Sequence, residues 1–203
     1  MVIFMKKFRF FVTVFTLALF HLPSAHANET NVADVSQLNS ATVLTQMEKN
    51  VFNYVNQSRV ANSLPALTWS NSAAQQARNH SVNMANKTVP FGHDGFDMRY
   101  NVLRGLIPNL RSMRENVAYN QGYQQPGKTA VQSWLNSPGH YANIMGNFNL
   151  TGVGVAKDSQ GRHYFTQIFV KTSSTNLAMA KFSEEPIPLE AVSEAPYLIE
   201  LDQ

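Results

Sequence analysis

The sequence of 203 residues contains no cysteine. A disulfide scaffold, a thiolate metal site, a cysteine nucleophile and a lipid-modified N-terminal cysteine are therefore all excluded. Charged residues are scarce at 14%, whereas apolar residues reach 44% and aromatic residues 11%. Such a chain can bury a core, which excludes global disorder. The length suits one domain with tails.

Long apolar runs are also absent, except near the N-terminus. Lys6, Lys7 and Arg9 precede an uncharged apolar stretch at 10–20, and a small-x-small pattern follows at 25–27. This order predicts a secretory signal peptide over residues 1–27, because the apolar stretch is shorter than the roughly 20 residues that span a membrane. We therefore expect export to the periplasm or the extracellular medium, with no transmembrane segment after cleavage.

The net charge of +3 comes from the three basic residues of this predicted leader. Residues 41–171 hold twelve Lys and Arg against five Asp and Glu, a charge of +7, and residues 172–203 hold one Lys against six acids, a charge of −5. We predict a linker at 28–40 and an acidic flexible tail at 172–203, which is either solvated or paired with a basic surface. The basic residues lack the interleaved aromatic pattern of nucleic-acid binders, so we expect no nucleic-acid partner.

Hydrophobic periodicity places helices before strands along the chain. Spacings of three and four predict helices over 44–62, 71–87, 98–106 and 129–135, with one more turn at 140–145. Two strands are predicted at 151–157 and 162–171, joined by a turn at 158–161. The segment 116–119 has no clear type. This order predicts an α+β fold or an α/β/α layered structure.

A phosphate-loop pattern occurs at Gly122–Thr129, which fits G-x-x-x-x-G-K-[ST]. A real phosphate loop follows a buried strand, so that backbone N–H groups and the lysine surround the phosphates. The preceding residues, 115–119, make a poor buried strand, and the export signal places the chain where ATP is scarce. We interpret the pattern as a chance match.

Histidines and one isolated carboxylate carry the chemistry that the residues themselves suggest. His93 lies in a glycine-flanked loop, His140 follows a Pro-Gly turn, and Glu115 is the one acid between Asp97 and Asp158. Two imidazoles and a carboxylate suit a zinc site with an open position or general acid–base chemistry. The alternative for the carboxylate is simple ion pairing with neighbouring arginines at 104, 111 and 114.

The other histidines and the tryptophans have simpler interpretations. His80, among alanines on a helix, is expected to be a hydrogen-bonded packing residue. His163 alternates along a strand and is expected at the surface or rim. Trp69 and Trp134 are expected to anchor the core.

Seven short motifs in order carry a family resemblance. They are Val55–Arg59 (VNQSR), Leu64–Trp69 (LPALTW), Ala77–Ala85 (ARNHSVNMA), Glu115–Ala118 (ENVA), Trp134–Ile144 (WLNSPGHYANI), Gly152–Ala156 (GVGVA) and Tyr164–Phe169 (YFTQIF). With these motifs the chain resembles the CAP superfamily of cysteine-rich secretory, antigen 5 and pathogenesis-related 1 proteins, specifically its cysteine-free bacterial SCP-like extracellular branch. The resemblance covers residues 44–171, within a predicted domain at 41–171.

The resemblance implies a three-layer α/β/α CAP sandwich with a central antiparallel sheet and a cleft of two His and two Glu. Carried over by motif, His93, Glu115 and His140 are the implied metal ligands, with zinc as the cofactor. The position of the second glutamate is Ser137 here. Asn116 and Ser137 are expected to line the cleft, as is Gln167, whose amide can point toward the cleft floor. The alternative for Gln167 is that its amide simply satisfies buried backbone groups.

Three functional hypotheses remain open at this stage. The leading one is an exported binding module whose cleft takes a divalent metal and a lipid or small apolar ligand. The second is a zinc-dependent hydrolase or peptidase, in which His93, Glu115 and His140 are catalytic and Glu115 is the base. The third is a host- or surface-interaction protein whose arginines bind an anionic surface ligand. We expect a monomer in each case.

Overall fold

The computed structural model describes residues 29–173, with side chains from Ser36. The elements in chain order are α1 (Glu29–Ala61), β1 (Thr68–Trp69), α2 (Asn71–Ala85), α3 (Phe96–Leu106), β2 (Leu110–Asn120), α4 (Pro126–Leu135), α5 (Pro138–Ile144), β3 (Leu150–Lys157) and β4 (His163–Thr172). Two compact units divide at Asn39/Ser40. In the first, the described residues are helical; the second holds every other element. The predicted leader and tail residues 174–203 lie outside the described residues.

The second unit is built on a four-stranded sheet with the order β1-β3-β4-β2. β3 and β4 pair antiparallel as the predicted hairpin, and β2 pairs antiparallel with β4. The short β1 pairs parallel with β3. The predicted central antiparallel sheet is therefore confirmed for β2, β3 and β4, and the two-residue β1 adds one parallel edge, so the whole sheet is mixed.

Helices cover both faces of the sheet, which gives the predicted α/β/α sandwich. One apolar core joins α1, α4 and α5 to one face through Val51, Val55, Trp134, Phe165 and Phe169, with further buried members. A second core joins α2 and α3 to the opposite face. Trp134 is 1% exposed, as expected of a core anchor. It also donates its indole N–H to the Val117 carbonyl at 3.0 Å, which satisfies a backbone group of β2.

α2 lies directly against β3 because two glycines leave no side chain between them. A Cβ built on Gly152 would collide with the backbone of Ala73 and Ala74, and one on Gly154 with that of Ala77 and Arg78. α2 starts where the sequence predicts, because the Ser70 side chain accepts a hydrogen bond from the Ala73 N–H.

Several predicted boundaries differ from the structure. The chain is already helical from Glu29, where a linker was predicted. α4 starts at Pro126 rather than Thr129, because proline suits the first helical turn. The untyped segment 116–119 belongs to the eleven-residue β2. Within the described ranges, no helix has the length and apolar character that a membrane span requires.

Candidate functional site

The site is built around Glu115 in the middle of β2. Its side chain is 1% exposed, and both carboxylate oxygens face the guanidinium of Arg99 on α3. Arg99 Nε donates to Oε2 at 2.8 Å and Nη2 donates to Oε1 at 2.7 Å. Arg99 is itself fixed, because its Nη1 donates to the Asp94 carbonyl at 2.8 Å. This bidentate pairing neutralises the buried carboxylate and holds it in one orientation.

His93 lies beside Glu115 in the loop before α3. Its Nδ1 is 2.9 Å from Glu115 Oε1, and since a carboxylate oxygen accepts, Nδ1 carries the proton. The His93 side chain is 50% exposed. Its second nitrogen, Nε2, is therefore the one left for a ligand or a metal, in the arrangement by which carboxylates orient metal-binding histidines.

His80 supports the same loop from α2. It is 2% exposed, and its Nε2 lies 2.8 Å from the Gly92 carbonyl. It remains 3.9 Å from Glu115 Oε1, beyond hydrogen-bonding distance. Burial lowers the pKa of His80. The geometry agrees with the prediction of a hydrogen-bonded packing histidine.

His140 approaches the site from α5, on the other face of the sheet. Asn116 Nδ2 donates to the His140 carbonyl at 3.1 Å, and Asn143 Nδ2 donates to Asn116 Oδ1 at 2.9 Å and to the Glu115 carbonyl at 3.3 Å. These bonds fix α5 to the edge of β2. Burial lowers the pKa of His140, and the charge of His93 lowers it further.

The three residues predicted to line the cleft, Ser137, Asn116 and Gln167, lie in different parts of the fold. Ser137 occupies the N-cap position of α5, but its side chain makes no capping hydrogen bond. Asn116 is fully buried and positions α5. Gln167 is also fully buried and donates to Thr151 Oγ1 at 3.1 Å. Because Asn116 and Gln167 are both inaccessible, the expectation that they line an open cleft is wrong. Asn116 connects β2 to α5, and Gln167 belongs to the interior of the sheet.

The arrangement can present two imidazoles but no free carboxylate. Within the part of the chain that the structure describes, no group of three or more His, Asp or Glu is placed to hold a metal ion. Glu115 has both oxygens bonded to Arg99 and one also to His93. A metal at this site would be held by His93 and His140, with water completing its coordination.

The other sequence features do not form sites of their own. At the phosphate-loop pattern, Gly127 is buried against Met47 and Val51 of α1, so its backbone does not surround an open phosphate cradle. A groove of about 440 Å³ lies between α1 and α4, and it is lined by apolar residues such as Val43, Met47 and Tyr54 and by polar ones such as Asn50 and Lys128. This groove is separate from the histidines.

Comparison with known families decides the identity of the domain. The family model described as the cysteine-rich secretory protein family, CAP, matches residues 52–169, more than half of the chain. The chain belongs to the CAP family. The match contains the residues of all the elements from α2 to β3, together with Glu115, His93 and His140.

Relatives place this CAP protein among bacterial proteins. It is 32% identical over 133 residues to the uncharacterized membrane protein YlbC of Bacillus subtilis strain 168, covering 64% of this chain and 36% of the relative. Among solved structures, an extracellular protein with an SCP domain from Bacillus anthracis has a TM-score of 0.55 and 28% identity, covering 64% of this chain and 42% of that one. The chain thus spans less than half the length of these relatives.

A more distant structure agrees in fold alone. An outer surface protein of Borrelia burgdorferi has a TM-score of 0.54 at 17% identity, and the match covers 63% of this chain and 94% of that one. Its similarity supports the CAP sandwich without adding evidence on ligands.

Sequence reasoning missed the residue that controls Glu115 in this CAP protein. The sequence offers arginines 104, 111 and 114 as ion-pair partners of Glu115, but the partner in the structure is Arg99, sixteen residues before Glu115. The sequence does contain Arg99 in the first turns of a predicted helix. Arg99 reaches Glu115 because that helix, α3, packs against the face of β2 that carries Glu115. Spacing alone does not select among four arginines.

Proposed function

We propose that this CAP protein is an exported binding module in which His93 and His140 take a divalent metal ion, zinc being the first choice. Imidazole nitrogens suit zinc, and a metal-bound histidine commonly donates its other N–H to a carboxylate. The observation that carries the proposal is the hydrogen bond from His93 Nδ1 to Glu115, which leaves Nε2 for the metal. Glu115 positions His93 and is not itself a ligand in this proposal.

Export rests on two supports. The N-terminal residues have the order of a signal peptide, and the similar structure from Bacillus anthracis is described as an extracellular protein. The chain would function in the periplasm or the extracellular medium.

The same geometry favours binding over hydrolysis. A zinc hydrolase needs a carboxylate or imidazole that accepts a proton from the metal-bound water. Glu115 is fully engaged with Arg99 and His93, and Ser137 stands where the family has its second glutamate. We therefore assign no catalytic step to His93, Glu115 or His140. A lipid or small apolar ligand stays a prediction, for which the groove between α1 and α4 is the candidate place.

Calorimetric titration with zinc tests the proposal. Wild type should bind, and the His93→Ala/His140→Ala double variant should lose binding. His163→Ala is the matched control, because His163 lies at the far end of β4, beside Phe165. Identical zinc binding by the wild type and the double variant would overturn the proposal. Binding should weaken as the pH falls, since metal binding requires neutral imidazoles.

A second variant tests the positioning role of Glu115. Glu115→Gln should lower zinc affinity about 10- to 100-fold, the usual cost of losing an outer-shell partner. Circular dichroism shows whether the variant is folded. Complete loss of binding in a folded Glu115→Gln protein would instead make Glu115 a direct ligand.

A further inference from the structure

The outward face of α3 carries large apolar side chains that none of the described residues covers. Met98, Val102 and Leu106 follow at intervals of four, so they lie along one side of the helix. Their exposed fractions are 74%, 45% and 56%. The other side of α3 is buried through Arg99 and Leu103. A contiguous exposed apolar stripe of this kind marks a contact surface.

Two arginines accompany this stripe. Arg104 lies on α3 and contacts the Tyr100 ring at 5.9 Å, and Arg111 lies at the start of β2, after a short turn closed by the Leu110 N–H and the Ile107 carbonyl. Both are exposed, and neither forms an ion pair with any residue between 36 and 173. We call the stripe and the two arginines together, Met98, Val102, Arg104, Leu106 and Arg111, the α3 surface. Arg104 is two residues from Val102 and from Leu106, so it lies on another side of the helix than the stripe, about 200° around the axis. The α3 surface combines apolar contact with positive charge.

The C-terminal segment leaves the sheet beside the α3 surface. Thr172, the last residue of β4, pairs with Leu110, and the Ser173 N–H donates to the Asn109 carbonyl at 3.3 Å. Arg111 follows Leu110 directly in the chain. Ser173, the last residue that the structure describes, therefore lies close in the fold to Arg111 of the α3 surface.

Residues 174–203 have the composition that complements this surface. They contain one lysine and six acids, together with apolar residues that include Ile187, Leu189 and the run Tyr197–Ile199. Ten extended residues span about 33 Å, about twice the ~16 Å length of a helix of eleven residues. The segment can therefore reach every part of α3.

We propose that residues 174–203 dock on the α3 surface of their own chain. Their acids would lie against Arg104 and Arg111, and their apolar side chains would cover Met98, Val102 and Leu106. Covalent attachment supports this occupant over a separate partner, since a tethered segment acts at an effective concentration of about millimolar. The proposal does not depend on the histidine site.

Paramagnetic NMR tests the docking directly. Because the chain has no cysteine, a nitroxide on Ser193→Cys labels a single position. The amide signals of residues 98–106 and of Arg111 should lose intensity, while the signal of Val60, an exposed residue of α1, should not. Raising the salt to about 1 M, where the screening length is about 3 Å, should restore part of the intensity.

Matched variants separate the apolar and the charged contacts. Val102→Ser/Leu106→Ser should restore the α3 signals, and Val60→Ser should leave them reduced, because Val60 is similarly exposed on another helix. Arg111→Glu should also restore them, with the exposed Lys128→Glu as control. Undiminished α3 signals in the labelled wild type, or equal losses over the whole domain, would overturn the proposal.

Two further outcomes identify a different occupant and also overturn it. A mixed sample detects a second copy as the occupant. It combines chains that carry the nitroxide but no ¹⁵N with chains that carry ¹⁵N but no nitroxide, so any loss of signal intensity on α3 is intermolecular. Vesicles of phosphatidylglycerol test whether the occupant is a membrane. The α3 surface would be assigned to lipid if the protein binds these vesicles through Met98, Val102 and Leu106 and if the spin label leaves the α3 signals unchanged.

Discussion

At the scale of single residues, Arg59 shows how one buried side chain joins distant segments. It is 1% exposed and donates to the carbonyls of Pro65 at 2.9 Å, Ile144 at 2.6 Å and Gly146 at 2.9 Å. Burial lowers the pKa of its guanidinium, which nevertheless stays charged in proteins. Arg59 thereby satisfies the end of α5, the helix that carries His140.

Replacing Arg59 with methionine should therefore be strongly destabilising. Arg59→Met keeps most of the volume but removes the guanidinium donor from the Pro65 and Ile144 carbonyls, whereas the Gly146 carbonyl still accepts from the Phe148 N–H. We expect a loss of at least about 2 kcal/mol in the free energy of unfolding. Urea denaturation measures it. Arg114→Met is the control at an exposed arginine, with an expected change within about 0.5 kcal/mol. Equal effects of the two variants would contradict this account.

Arg99 and Glu115 should behave as one energetic unit. Arg99→Met leaves the Glu115 carboxylate buried with His93 as its remaining close partner, so we expect a loss of about 3–5 kcal/mol. The double variant Arg99→Met/Glu115→Leu should lose much less than the sum of the two single changes, because no unpaired charge remains. A double-mutant cycle of urea denaturation gives the coupling. Additive effects would show that the pair is not coupled.

At the scale of the elements, sequence patterns predict the helices and strands whose buried positions are mostly apolar. α2 with its Ser70 cap and the β3–β4 hairpin were predicted within one or two residues. β2 was not, because its adjacent buried residues Glu115 and Asn116 are both polar and serve opposite faces of the sheet. Its strand character comes from pairing with β4, which is not local to the segment.

The candidate functional site shows the same limit of prediction from the sequence. Glu115 and His140 could be named from motifs, because each stands in a short recognisable segment, whereas His93 was named from its place in a glycine-flanked loop. The pairing of Glu115 with Arg99 and the burial of Gln167 could not, because both depend on how α3 and the sheet pack in three dimensions.

The close approach of α2 to β3 gives a prediction at the scale of elements. Gly154→Ala places a methyl group against the backbone of Ala77 and Arg78, so α2 must move away from the sheet. We expect a loss of about 1–3 kcal/mol or more, as for other overpacked interiors. Gly105→Ala is the control, because nothing lies within 4 Å of its Cβ position in α3. It should be neutral or gain up to about 1 kcal/mol. Thermal unfolding compares the two, and similar melting temperatures would contradict the close packing.

At the scale of the whole molecule, three histidines couple folding to pH. Burial is the first cause that lowers the pKa values of His80, His140 and His163. Around His80, the charges of Arg99 and His93 lower the pKa further, whereas Glu115 and the bond to the Gly92 carbonyl raise it. The unfolded chain therefore binds more protons than the folded protein between the folded pKa values and about 6.5.

These histidines should therefore make the free energy of unfolding rise with pH between their folded pKa values and about pH 6.5. Above about pH 6.5 their contribution should level off. The stabilisation is lost as pH falls below about 6.5, because histidines that are neutral in the fold become charged in the unfolded chain. Urea denaturation at several values from pH 5 to pH 8 measures this slope. His80→Gln should flatten it more than His163→Gln does, because His80 is buried and His163 is partly exposed. An unchanged slope in His80→Gln would mean that the buried histidine does not couple protonation to folding.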